Sequence, residues 1–380
     1  MFRATIYNDL EDPALQTAWD ALEKSSVQTG FQTRAYIGAM AKWLPELAEA
    51  KPLFLLLCTR DTNRPALILP LAKKRHFGVK RLDFLDYWVA DHQLPIFDPT
   101  IFSWSEAGSS AKACILAALV DFDVLAIRAM PGEWNGVANP LHDLAGEGEA
   151  KNPSFRLALD DENLAAVRAN NSIYKQCRKN ASKLQTQFGI ELIDVKDAEE
   201  IDAVFDSMVI QRRTKFDAMG LKDNFANIEV QSFFRDLAKD YAPSDRALVL
   251  GFRAEGEWIA STFSNALGDM LVGQLFAAAP GPWMKHSPGN VSLCYEINWA
   301  KERGFKHYDF GAGIESYKER FGGELHQQYS SMKALTAAGQ MYMAALDQKN
   351  RARRVKRSFR GHIENLSKLA PAVVTNRNSA

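Results

Sequence analysis

The stretch HYDFGAGIESYKERFGG, residues 307–323, gathers Asp309, Glu315, Tyr317 and Lys318 around Gly311 and Gly313. An aspartate that ends an apolar strand just before a glycine turn can orient an amine or receive its proton. The same position suits a structural aspartate that accepts backbone hydrogen bonds from the turn, and the sequence leaves both roles open. Glu315 and Tyr317 are further candidates for acceptor contact or proton transfer. His286, a little upstream, has an ordinary pKa close to neutrality and is a candidate base, although a single loop histidine is more often without a chemical role.

Immediately after His286 the run SPGNV, residues 287–291, reads as a helix entry. Ser287 is a good N-cap, and Pro288 suits the first helical position because its missing N–H would be unpaired there anyway. Gly289 and Asn290 place no bulky side chain over the next amides, so the helix start is a ready anion site, best suited to phosphate. Gly273 and Gln274 lie in the strand before this entry, and Val291 begins the helix's apolar stripe.

These residues need a scaffold, and the composition bounds it. The chain has 380 residues, 46 Lys plus Arg against 46 Asp plus Glu, and a formal charge of +0. Its length predicts two domains. The charge balance argues against a dedicated nucleic-acid binder. Cys58, Cys114, Cys177 and Cys294 show no metal-ligand spacing and fit reduced thiols of a cytosolic protein. The longest apolar run, LFLLLC at 53–58, has strand length and does not span a membrane.

Periodicity divides the chain into a lobe over 1–150, a second over 151–338 and a helical tail over 339–380. The first lobe alternates helices at 13–24, 33–43 and 108–120 with strands at 52–59, 66–74, 81–86 and 123–128. Residues 131–153, rich in Gly, Pro and Asn, form the best linker candidate. In the second lobe a long helix over 161–187 precedes an antiparallel meander at 246–279. The strand, helix, strand order that follows predicts a parallel pair joined by a right-handed crossover. The last strand, QYSSMKALT, closes this lobe, giving an α/β fold with mixed sheets.

Three further groups are candidates for binding. Trp88, Asp91 and His92 in DYWVADHQLP combine an aromatic ring with a carboxylate, a pattern that fits a saccharide as well as it fits two core aromatics and a turn aspartate. Lys175, Arg178 and Lys179 fall on overlapping faces of one helix and fit either an acceptor phosphate or a solvated face. In the tail, KNRARRVKRSFR holds seven Lys or Arg and no acid. There Arg351, Arg354, Arg357 and Arg360 fit a solvated face or a site for a nucleotide second messenger or an anionic membrane.

The run SPGNVSLCYEINWAKERGFKHYDFGAGIESYKERFGGE, residues 287–324, resembles the signature of the GNAT-like acyltransferases grouped with the CelD proteins and the FemAB peptidoglycan transferases. NSIYKQCRKNASKL at 171–184 is similar to the family's basic helix, and residues 67–99 to its first-lobe strand pair. The resemblance implies two tandem GNAT-like lobes with mixed, mostly antiparallel sheets, the first lobe degenerate and the second binding the donor. It implies acyl-coenzyme A as co-substrate, held by residues 287–291 with Gln274, and no metal. It also implies transfer to an amine of an amino sugar or a cell-envelope precursor that is either free or lipid-linked, in the cytoplasm or at the inner face of the membrane. Lys318 matches the lysine that stabilises developing negative charge in the Fem relatives; a solvent-facing lysine on a short helix is the plain alternative. Two rivals stand beside this reading: aminoacyl transfer from tRNA, and a catalytically weak regulatory protein that binds its ligand through the tail.

Overall fold

The computed structural model describes residues 2–351 except 26, 28, 102, 103 and 147. The first part of the chain runs β1 (Phe2–Tyr7), α1 (Pro13–Ser25), α2 (Arg34–Trp43), α3 (Pro45–Ala48), β2 (Lys51–Thr59), β3 (Pro65–His76) and β4 (Val79–Phe84). It continues through β5 (Ile96–Phe97), α4 (Trp104–Ala118) and β6 (Val124–Pro131). The apolar runs of β2 and β3 are buried almost throughout, as strands covered on both faces must be.

Residues 131–153, expected to be a linker, are folded. They form β7 (Glu133–Trp134), β8 (Val137–Ala138), α5 (Leu141–Ala145) and β9 (Glu149–Ala150), and β10 (Ser154–Ala158) follows. Trp134 is buried, and Asn139 donates to the carbonyls of Gln93 and Pro131, both at 3.0 Å. A segment without helical or strand period is held here by side-chain bonds to irregular backbone, which periodicity does not detect.

The second part holds α6 (Asp161–Asn170), α7 (Ser172–Phe188), β11 (Glu191–Asp194), α8 (Ala198–Met219), α9 (Ile228–Tyr241), β12 (Ala247–Ala254), β13 (Glu257–Leu267) and β14 (Met270–Ala278). Then come α10 (Pro288–Glu302), β15 (His307–Ala312), α11 (Ser316–Arg320), β16 (Glu324–His326) and β17 (Gln328–Ala334), and a helix, α12, over 337–351. The helix expected over 161–187 is two, because Asn171 adopts an extended backbone (φ −113, ψ 110) between α6 and α7. Asp197 starts α8 by accepting from the amides of Glu199 and Glu200, and Gly220 ends it in the left-handed conformation.

Two large, mostly antiparallel sheets result, beside the small β7–β8 pair. One has the order β1-β2-β3-β4-β6-β17-β9 with β5 on β3, the other β11-β12-β13-β14-β15-β10-β16. Each contains one parallel pair, β4 with β6 and β14 with β15. The final strand does not close the second sheet as expected. β17 pairs with β6 in the first sheet, while β10, which follows the first lobe, pairs with β15 in the second. The first sheet therefore borrows a strand from the second lobe, while β10 stays in the sheet of the lobe that it opens. The core is shared as well, since one apolar cluster runs from the first lobe through Phe205, Phe233 and Phe263 of the second.

Tyr342 docks α12 on the first lobe: it is buried, and its hydroxyl bonds His76 Nδ1 at 2.6 Å and Arg81 at 3.3 Å. Arg351 pairs with Asp347 within that helix at 2.8 Å. Arg354, Arg357 and Arg360 lie outside the described residues. Among the described residues, no helix is long and apolar enough to cross a membrane.

Candidate active site

β14 and β15 pair over only three residues each, Met270–Val272 with His307–Asp309, and then part. The edge amides beyond that point have no strand partner. β14 also carries a bulge, because Ser264 pairs with Gly273 and Phe263 with Leu275, leaving Gln274 as the extra residue. The gap opens into a cavity of about 610 Å³. Arg212 and Lys215 of α8 and Gly289 of α10 lie on its wall, together with Glu296, Lys318 and Asp91, the last reaching in from the first lobe.

The helix entry offers less than its sequence suggests. Ser287 occupies the N-cap position with a left-handed φ of 49°, and its side chain makes no cap hydrogen bond. Its carbonyl instead turns under the helix and accepts from the amides of Asn290 (2.9 Å) and Val291 (3.2 Å), while its own N–H donates to Met284. Pro288 has no N–H, so Gly289 is the position whose amide has no partner among the described residues. A Cβ on Gly289 would lie 2.9 Å from the Phe276 ring. The glycine is thus required by close packing as well as by an open amide. Val291 is in the core, whereas Asn290 lines the cavity.

Asp309 is fully buried and saturated. Its Oδ2 accepts from His92 Nε2 at 2.8 Å and from Arg156 Nε at 3.2 Å, and its Oδ1 from the Gly311 amide at 2.7 Å. Burial pushes its carboxyl up, but His92, Arg156 and the Gly311 amide outweigh that and hold it below its ordinary value. Asp309 is the structural aspartate of the two roles the sequence allowed. Arg156 in turn stacks on Trp134, 3.7 Å from the ring centre.

Lys318 is also buried, 1% exposed, so it is not the solvent-facing lysine of a short helix. Its Nζ donates to the carbonyls of Gly311 (3.0 Å), Ala312 (2.8 Å) and Gly313 (3.1 Å) and pairs with Glu315 at 2.9 Å. Three N–H groups face four acceptors, so the ammonium is committed to shaping the turn. Gly311 has φ 73°, and a Cβ there would stand 2.9 Å from Asp91 Oδ2. That close approach is how the turn seats Asp91 against the cavity.

Asp91 accepts from the Ala312 amide, and burial first, with the nearby Asp309 charge, raises its pKa. A second carboxyl, Glu296, is 2% exposed and is likewise raised by burial. Its Oε2 accepts from Ser264 at 2.8 Å and from the Tyr308 hydroxyl. Tyr317, at the wall, is pushed up to about 12 by burial and then by Glu315 and Glu296, so its hydroxyl keeps its proton at neutral pH.

The cavity brings together Asp91, Gln274, Gly289, Asn290, Glu315, Tyr317 and Lys318 from the sequence candidates. Gln274 spends its side chain across the lobes, donating to the Tyr36 hydroxyl at 3.0 Å and accepting from Asn265 at 2.6 Å. His92 is fully buried behind Asp309 and does not line this cavity. His286 is buried against α7, bonded to Gln187 at 3.2 Å, so it is not placed as a base. Lys175, Arg178 and Lys179 are exposed on α7, away from the cavity wall. Sequence reasoning missed Glu296 and Arg212. Arg212 clamps Asp223 through two bonds of 2.8 and 2.7 Å and donates to the Phe276 carbonyl at 3.1 Å. Among the described residues, no group of three or more His, Cys, Asp or Glu is arranged to hold a metal ion.

Residues 171–319 match a family model described as an acetyltransferase (GNAT) domain. No curated protein matches the chain in sequence. Among solved structures, FemX superposes with a TM-score of 0.59 at 11% identity, covering 87% of this chain and 97% of that one. A conserved protein of unknown function from Bacteroides thetaiotaomicron gives 0.54 at 10% identity, with 87% and 99% covered. A C-terminal DUF2156 domain from Agrobacterium fabrum gives 0.51 at 9%, with 87% and 96% covered. These likenesses concern the fold, and they extend over both sheets. The match to a GNAT acetyltransferase domain lies within the second lobe, over the residues that form both strands of the parted β14–β15 pair, and it supports an acyltransferase.

Proposed function

We propose that the chain transfers an acyl group from acyl-coenzyme A to a primary amine of an amino sugar or cell-envelope precursor. The observation that carries this is the shape of the cavity. Its wall combines Lys215, the free Gly289 amide and the parted strands, where a thioester arm could enter, with the Asp91 carboxyl from the first lobe, whose pKa burial raises. Lys215 and the Gly289 amide would hold the donor's phosphates.

In the reaction, the amine nitrogen attacks the thioester carbonyl carbon, forming a C–N bond and an oxyanion. The β14 edge past Val272, which has no strand partner on the β15 side, would supply an amide to that oxygen. Asp91 takes the proton lost by the amine, which its raised pKa suits. Collapse breaks the C–S bond, and the departing thiolate takes that proton from Asp91, giving free coenzyme A and restoring the carboxylate. Asp309 and Lys318 do not touch the reacting atoms; they hold the turn that seats Asp91.

The test incubates purified protein with acetyl- and longer acyl-coenzyme A donors and amino-sugar acceptors, reading acceptor mass. A gain of one acyl group that needs both partners is expected. Transfer from aminoacyl-tRNA with no product from any coenzyme A thioester would overturn the donor assignment.

A further inference from the structure

The two sheets repeat one plan, and the repeat includes a second cleft. β4 and β6 pair in parallel over Arg81–Asp83 and Val124–Ala126, as β14 and β15 do over Met270–Val272 and His307–Asp309. Beyond the pairing a cavity of about 390 Å³ opens in the first lobe too, within the roughly 300–1,000 Å³ typical of small-molecule sites. Here the wall is made by β17 and by the turn that carries Trp88, where the second lobe has the start of α10.

That turn is built to present an indole. Trp88 is 52% exposed and has φ 62°, directly after Tyr87 at φ 40°. Each non-glycine residue in that region costs on the order of 1–3 kcal/mol and persists only where its surroundings over-determine it. Asp86 does so: it accepts from the Trp88 amide at 3.0 Å and takes two bonds from Arg128, at 2.7 and 2.6 Å. The Tyr87 hydroxyl adds a bond to the Ala50 carbonyl at 2.8 Å.

The cavity's charges are matched in place. Lys74 and Arg81 both pair with Asp83, Arg128 with Asp86, and Lys151 with Glu149. Paired ions leave no cation in reserve for a phosphate, yet they line the wall with polar atoms suited to hydroxyl groups. An exposed indole beside such a wall fits an uncharged polyhydroxylated ring, whose C–H face packs on the aromatic. Trp88 also borders a smaller cavity of about 130 Å³ whose lining includes Asp91 and Gln274, so the first-lobe cleft leads toward the proposed reaction centre.

We propose that this first-lobe cleft is a saccharide site that binds the acceptor's glycan over Trp88 while its amine-bearing end reaches Asp91. Its link to the acceptor rests on the acyl-transfer reading; the saccharide site itself does not.

The test titrates the full chain with a β-1,4-linked glucosamine trimer, its N-acetylated counterpart and inorganic pyrophosphate, following indole fluorescence and saturation-transfer NMR. One of the sugars is expected to bind. Trp88→Ala should weaken it at least tenfold and Trp88→Phe less, with coenzyme A affinity unchanged. Ser330→Trp, which fills the cleft and leaves Trp88 in place, should cause the same loss. No sugar binding by the wild type, equal affinity in both cleft variants, or pyrophosphate competing for the cleft would overturn the proposal. If no coenzyme A thioester reacts while sugar binding still depends on Trp88, the donor assignment falls and the saccharide site stands.

Discussion

His92 Nε2 lies 2.8 Å from Asp309 Oδ2, and both side chains are fully buried, one from each lobe. The Gln328 amide nitrogen lies 2.6 Å from His92 Nδ1 and 2.8 Å from the Asp91 carbonyl. The carbonyl identifies that atom as a donor, so His92 Nδ1 accepts, and Nε2 carries the proton given to Asp309. A residue of the borrowed strand β17 thereby sets the tautomer that couples the lobes.

Replacing either partner should be costly. His92→Ala removes a hydrogen bond to a buried charge, worth about 1.5–3 kcal/mol. Asp309→Asn leaves the buried Arg156 without its counter-charge and should cost about 3–5 kcal/mol. Both are measurable by urea unfolding. The pH dependence has a definite sign. Because the Asp309 carboxyl is held below its ordinary value in the fold, its contribution is complete above the unfolded-state pKa of about 4 and is lost as pH falls through the lower folded value. The acid loss of stability should therefore be smaller in Asp309→Asn than in the wild type.

Lys318 separates two roles that the sequence could not. A group that only stabilises an oxyanion can be removed without loss of stability. Lys318→Met strands three turn carbonyls that the ammonium now satisfies, at about 1–3 kcal/mol for each that stays buried and unpaired. Thermal unfolding should fall with kcat in this variant. Lost kcat with an unchanged Tm would return Lys318 to the reacting atoms.

The parts legible in the sequence were those with a period or a cap. The meander of β12, β13 and β14 and the parallel β14–β15 pair follow from alternation and from the strand, helix, strand order. The crossing of β17 to the first sheet was not legible, because nothing local to that strand selects a sheet. Glu296 was hidden for a related reason. It sits in a helix among ordinary residues, and only the packing of α10 over β13 and β15 brings it to Ser264 and Tyr308. Trp134 was missed because a glycine-rich segment gives no sign that one of its residues will stack on Arg156. His286 was chosen for its place before the helix entry and the α7 cations for their shared helix face, but spacing within one element does not show which way that element turns in the fold.

Gly311→Ala should report on how the turn holds Asp91. The left-handed φ of 73° and the 2.9 Å approach to Asp91 Oδ2 both oppose a methyl group. The backbone alone makes the change unfavourable by roughly 1–2 kcal/mol, and Asp91 must shift. We expect kcat to fall more than the stability loss accounts for, with the KM for the acyl donor nearly constant, as steady-state kinetics at a temperature well below unfolding would show.

Asp91 is the carboxylate on which the proposed proton transfer depends. Burial raises its pKa, so the ionised, proton-accepting form is lost on acidification at a higher pH than for an ordinary carboxylate near 4. The rate should rise with pH along a limb displaced above that value and then level. Asp91→Asn keeps the size of the side chain and removes the base, so kcat should drop about 100- to 10,000-fold and the limb should vanish, with coenzyme A affinity retained. A limb that survives in Asp91→Asn would move the base elsewhere, and Glu296, a buried carboxyl on the cavity wall, is the position Glu296→Gln would then test.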